Sequence, residues 1–244
     1  MRTLIIAGGI GLISIIIVIL LIRNGSKEED SSNLNKKVRE GNSCEIKKQV
    51  TLIDSKTGIE YTIAFCDDSC ENGLPHTINE TTMMIPESYS KDRFTTTVEH
   101  EKIHLLQRRH PELWEAWYKL LWSYTIHKTP PPMMPSSLLE TRRHNPDIED
   151  KPFACWRGRW WSLTTYTINP TSLLDAKTVW WDEKTGSTSS EAPPEWNDFF
   201  GNQPQDEHPH EIAAQMIANG AGNKNLRERL VTVYEKHFYR IDRG

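Results

Sequence analysis

The order of apolar runs predicts an α+β fold: short β-forming segments come first, a pair of helices follows, and two further helices close the chain. One domain with a small sheet and site-bearing helices is expected over residues 44–244, because about 200 residues suffice for a single core. A transmembrane helix within 1–23 and a flexible tether over 24–43 are expected to precede it.

The anchor expectation rests on the run from Leu4 to Ile22, which has no charged residue and is long enough to cross a hydrocarbon layer as a helix. Cleaved signal peptides have shorter apolar regions ending in small residues, whereas Ile15 to Ile22 stays bulky up to Arg23. A single-pass membrane protein, held to the bilayer through residues 4–22, is therefore expected. Basic residues flank both ends, Arg2 on one side and Arg23, Lys27, Lys36 and Lys37 on the other, so orientation stays open. Residues 24–43 are rich in Ser, Asn, Lys and Glu and cannot form a core.

Within the domain, Val50 to Asp54 and Glu60 to Phe65 flank Ser55-Lys56-Thr57-Gly58 as a hairpin signal, and Thr82 to Ile85 add a strand. Thr95 to Thr97 offer N-caps for a helix running to about Arg109, and Pro111 starts a second through Leu121. Residues 129–155 hold many Pro, Ser, Asn and Asp and read as a long connection. Arg159 to Ile168 and Thr178 to Asp182 have strand composition; Pro209 to Ala218 and Leu226 to Phe238 read as helices separated at Gly220 to Gly222.

A net charge of -4 gives no footing for nucleic acid, which wants a basic face. Nine Trp are expected chiefly to fill the core, with a substrate groove or partner surface as the alternative use. Cys44, Cys66, Cys70 and Cys155 permit two disulfides in an oxidising compartment, or a structural zinc site on Cys66 and Cys70. Asn79-Glu80-Thr81 and Asn24-Gly25-Ser26 fit the N-glycosylation pattern.

The most specific feature is His100-Glu101-Lys102-Ile103-His104. Helical positions four apart share a face, so His100 and His104 can offer two imidazoles to one ion. Glu101, one residue on, falls beside the ion, where a carboxylate can take a proton from water. A catalytic zinc needs a third ligand and an open position. Glu211, in His208-Pro209-His210-Glu211-Ile212-Ala213-Ala214-Gln215, is the preferred third ligand, because Pro209 suits a first helical turn and Ala213 and Ala214 allow close helix approach. His110 stands where the metzincin pattern places its third histidine, but Gln107 replaces the glycine that the turn there needs. Met133-Met134 offers a possible Met-turn to the same pattern; His208 and His210 are spare ligands.

His100, Glu101, His104 and Glu211 together resemble the gluzincins, whose H-E-x-x-H motif is followed by a glutamate ligand on a later helix; the run to Gln107 also looks like the H-E-x-x-H-x-x-Q pattern of small gluzincin-like domains. The resemblance implies a zincin-like domain and a zinc-dependent metallopeptidase with Zn2+ on His100, His104 and Glu211, Glu101 as general base, and a peptide or protein substrate near the membrane. Gln215 stands where the family often has an acid, and Tyr166, His144 or His210 are open choices for the oxyanion-stabilising group. The alternative is an inactive peptidase-like structural or interaction protein of a membrane or viral envelope.

Overall fold

The computed structural model describes residues 44–166, 175–201 and 205–239. A four-stranded sheet forms from β1 (Ile46–Ile53), β2 (Glu60–Cys66), β3 (His76–Thr77) and β4 (Thr82–Pro86), in the order β1-β2-β4-β3. β1 and β2 are the expected antiparallel hairpin, whereas β2 and β4 run parallel, Thr62 opposite Thr82 through Cys66 opposite Pro86. Helix α1 (Lys91–Arg109) follows, then α2 (Pro111–Trp117), which continues as a π-helical turn to Trp122 and stops at Ser123, a residue at φ 59°.

The single small sheet expected from the sequence is corrected to two. β5 (Tyr124–His127), β6 (Phe153–Trp156), β7 (Trp160–Tyr166), β8 (Ala176–Asp182) and β9 (Thr188–Ser189) form a five-stranded antiparallel meander. β6 escapes a sequence reading because all four of its residues are buried, leaving no alternation of apolar and polar positions. Short α3 (Ser136–Thr141) and α4 (Pro194–Phe200) lie in stretches expected to be irregular, and α5 (Pro209–Asn219) and α6 (Lys224–Phe238) close the domain. α1 begins at Lys91 rather than near Thr95, since nothing between Ser90 and Thr97 breaks a helix and Asp92 suits its first turn.

The membrane expectation is also corrected. No helix among the described residues is long and apolar enough to cross a membrane; α1, the longest, carries charged residues along its whole length. The expected anchor and tether, residues 1–43, lie outside the described residues, and the reading of the fold as membrane-anchored and of the chain as a single-pass membrane protein is withdrawn.

α1 occupies the centre of the molecule. Val98 and Leu105 pack on Tyr61, Ile63, Phe65, Met83 and Ile85 of the first sheet. Ile103 and Leu106 face a second, aromatic core built from Trp114, Trp122, Trp156, Trp180 and Trp196, together with Ile212, Ala213 and Ala214 of α5. Seven of the nine Trp are buried, so core filling is their main use. Several pay their indole N–H into the fold: Trp156 donates to the Trp122 carbonyl at 2.9 Å and Trp196 to the Tyr124 hydroxyl at 2.8 Å. Lys102 ties α1 to the β1–β2 turn through Asp54, 2.5 Å away.

Of the four cysteines, Cys44 and Cys70 form a disulfide, while Cys66 and Cys155 are free and buried. The disulfide removes Cys70 from any Cys66–Cys70 metal site. Burial pushes both free thiols up to about 12, which leaves them protonated and unreactive at neutral pH.

The second sheet is closed at one end by Asp182, which takes a forked pair of hydrogen bonds from Arg159 at 2.7 and 2.6 Å and further ones from Thr185 and the Lys184 amide. The Arg159 bonds, opposed by burial and reinforced by Thr185, hold this carboxyl well below its ordinary range. A depressed pKa contributes stability that is present above the unfolded value of about 3.9 and is lost as pH falls towards the folded value. Chemical denaturation at pH 7 and pH 3 should therefore show a smaller acid-induced loss of stability in Asp182→Asn than in the parent chain; equal losses would remove Asp182 from the acid response.

Candidate metal centre

Two helices build the centre. In α1, His100 and His104 lie one turn apart, and their Nε2 atoms approach to 3.0 Å. In α5, Pro209 opens the helix and the His208 side chain caps it by accepting from the His210 amide at 3.2 Å. Glu211 thus falls in the first turn, where the helix dipole favours a carboxylate. α5 packs directly on α1, with Ala213 and Ala214 fully buried in the core the two helices share. Glu211 Oε2 lies 3.2 Å from His100 Nε2 and 3.6 Å from His104 Nε2.

The tautomer of His104 follows from its neighbour. Gln107 donates its amide to the Tyr118 hydroxyl at 2.9 Å and to the His210 carbonyl at 3.0 Å, so its Oε1 is the acceptor that faces His104 Nδ1 at 2.7 Å. Nδ1 then carries a proton, and Nε2 faces His100 and Glu211. Glu211 is held in turn: its Oε1 accepts from Asn145 Nδ2 at 2.9 Å. Asn145 Oδ1 accepts from the Asp147 amide at 3.1 Å, and Asp147 Oδ1 accepts from the Thr77 amide and hydroxyl at 2.8 and 2.5 Å.

The surrounding carboxylates favour positive charge at the centre. Burial disfavours charge on His104, but the carboxylates of Asp147, Glu211 and Glu101 outweigh it and raise the imidazole to about 10. Burial would likewise raise Glu211, yet His104 and His100 hold it well below the carboxylate range. Glu101 is pushed well above that range by burial and then by Asp147, and its Oε2 has no hydrogen-bond partner among the described residues. Four ligand atoms around a tetrahedral zinc, each about 2.0–2.1 Å from it, lie roughly 3.3 Å apart. The separations of 3.0, 3.2 and 3.6 Å among the two imidazoles and Glu211 straddle that edge, so the residues present fit such an ion. A second set, Glu101, His104 and Asp147, is also close enough to hold a metal but shares His104 with the first.

Above the centre is a cleft of about 450 Å3, with His100, Glu101 and Glu211 along its floor and Arg143 and Asn145 in its wall. Arg143 is buried between Glu71 at 3.4 Å and Glu207 at 3.6 Å, and its Nε has no hydrogen-bond partner among the described residues. The walls on the other side come from the strap Leu74 to His76.

The other sequence-level choices fall elsewhere. His110 sits at the α1–α2 junction against His237 and Phe238, six residues beyond His104 and outside the set that Glu211 completes. Met134 packs with Phe153 and Trp161 in a separate core, and Met133 is exposed. His208 is spent on its cap and on donating from Nε2 to the Lys151 carbonyl at 3.1 Å; burial lowers it to about 3. None of the three oxyanion choices lines the cleft: His210 packs against Tyr118, Tyr166 lies beside Arg143, and His144 is exposed against Glu149. Gln215 lines the cleft and accepts from Asn219, while Gln107 supplies the imidazole's support. Asn145, Asp147, Arg143 and Glu207 are not singled out by the sequence; the one local signal is Asn145-Pro146-Asp147, which reads as a surface turn.

No family model, curated protein or solved structure gives a significant match to this chain.

Groups that orient metal-bound histidines typically contribute 10- to 100-fold in affinity. Competition titration with a zinc chelator should accordingly show Gln107→Leu weaker by about that factor, Gln107→Glu much closer to the parent because it keeps the acceptor, and Gln215→Leu unchanged.

Proposed function

We propose that the chain is a zinc-dependent metallopeptidase, with His100, His104 and Glu211 holding the ion and Glu101 acting as general base. The observation that carries this reading is the convergence of two imidazole nitrogens and a carboxylate oxygen beneath an open cleft, with Glu101 close by and its buried Oε2 without a hydrogen-bond partner among the described residues. Of the two sets that share His104, His100, His104 and Glu211 are preferred, because their donor atoms stand 3.0, 3.2 and 3.6 Å apart, close to the edge of a zinc tetrahedron.

Zinc at this position supplies Lewis acidity and brings the ionisation of water towards pH 7. Glu101 takes a proton from the water that attacks the peptide carbonyl and delivers it to the leaving amine; its place on the cleft floor, one residue from His100, suits that role. Gln107 and Asn145 hold His104 and Glu211 in place while this occurs. The open cleft favours hydrolysis over a purely structural role, for which a covered site is expected.

Zinc content and peptide hydrolysis, measured together on the parent and on Glu101→Gln, test the proposal. The expected result is one zinc per chain in both proteins, with hydrolysis reduced by about 10²- to 10⁴-fold in the variant. Equal activity in two metal-replete proteins would end the case for Glu101, and absence of stoichiometric zinc from the parent would end the case for the centre.

A further inference from the structure

We propose that Asn79 is an N-glycosylation site, carrying an oligosaccharide on its side-chain amide nitrogen. Asn79-Glu80-Thr81 forms the turn between β3 and β4, and all three residues are exposed. The carboxamide has a fixed orientation: Asn79 Oδ1 accepts from the Thr81 amide at 2.8 Å, the Thr82 amide at 2.8 Å and the Thr81 hydroxyl at 3.0 Å. All of its hydrogen bonds among the described residues are made through the oxygen. Nδ2 makes no hydrogen bond among the described residues, so a substituent there displaces no contact of the fold. The two residues that define the acceptor pattern, the asparagine and the hydroxyl two positions on, are thus already in contact in the folded turn.

Three further observations bear on whether a glycan can be carried here. The turn is held from beneath, Arg109 donating from Nε to the Glu80 carbonyl at 2.7 Å, which anchors it to the end of α1. That end lies five residues, or roughly 7 Å of helix, beyond His104, and Asn79 is not among the residues lining the cleft, so a sugar at this turn leaves the cleft open. Beside the turn is a shallow, open depression lined by Asn79, Glu80, Thr81, Arg108 and Asp150, which offers polar and charged groups to the first saccharide. The Cys44–Cys70 disulfide is the independent sign of compartment, because such bonds form and persist where the surroundings are oxidising, and the secretory lumen is both oxidising and the place of N-glycan transfer.

The donor is a polyprenyl-diphosphate oligosaccharide, used by a membrane-bound transferase. Nδ2 attacks the anomeric carbon, the N–C bond forms as the bond from that carbon to the diphosphate oxygen breaks, one Nδ2 proton passes to a base of the transferase, and the polyprenyl diphosphate leaves. No oxidant or reductant enters.

The test takes the full chain from the cells that make it, with free thiols blocked at lysis, and treats it with peptide N-glycosidase in ¹⁸O water before peptide mapping. Asn79 should appear as ¹⁸O-labelled aspartate in most molecules, with Cys44 and Cys70 in one linked peptide. Thr81→Ala should lose the modification and Thr81→Ser should keep it, both with the parent's zinc content as evidence of folding. Unmodified Asn79 in the parent chain would overturn the proposal, whether or not Cys44 and Cys70 are linked, and so would a modification that survives Thr81→Ala.

Discussion

Two imidazole nitrogens 3.0 Å apart, one of them fully buried and both beside a buried carboxylate, form an arrangement that the protein interior tolerates only if something positive is shared among them. That constraint organises the middle of the molecule. α1 must be central enough to bury His104 yet open enough on one face to leave His100 at the floor of the cleft. α5 must come close enough for a side chain as short as glutamate to reach both rings, and alanine at 213 and 214 lets it do so. The long connection between β5 and β6 must fold back over the helices, because Asn145 is the group that fixes the far oxygen of Glu211.

The supporting residues form one continuous network. From Thr77 of the first sheet it runs through Asp147 and Asn145 to Glu211, and from Tyr118 of the π-helical turn through Gln107 to His104. Arg108 braces the first of these from outside, donating to the Thr77 hydroxyl at 2.8 Å and to the Pro146 carbonyl at 2.5 Å. The centre is therefore held by the first sheet, by α1 and α5, by the π-helical turn and by the connection that contributes Asn145 and Asp147.

How much of this is legible in the sequence depends on the range of the interaction. The spacing of His100, Glu101 and His104 is local, and a helix puts the two imidazoles together whatever the tertiary fold. Glu211 is legible through Pro209 and the two alanines, which announce a helix start and a close approach. Asn145 and Arg143 are not, since a polar residue in a Pro-rich stretch reads as solvated until the fold buries it. β6 is obscured for the opposite reason, a lack of polar residues to set a period. α1 itself is unusually polar for a central helix, burying Glu101, Lys102, His104 and Gln107, so its helical character shows in capping and length more than in an apolar stripe. The apolar run of residues 4–22 remains outside the described residues, and nothing in the folded domain takes up the role assigned to it.

The bond between Cys44 and Cys70 has a mechanical consequence. Cys44 stands just ahead of β1, an edge strand whose first pair joins Ile46 to Cys66, so tension arriving from the preceding chain would by itself peel β1 from β2 one rung at a time. The covalent link gives that tension a second path, into the turn at residues 70–73 and the strap from Leu74 to His76 that walls the cleft. A load on the chain ahead of Cys44 is thus felt at the mouth of the cleft before it can unzip the sheet.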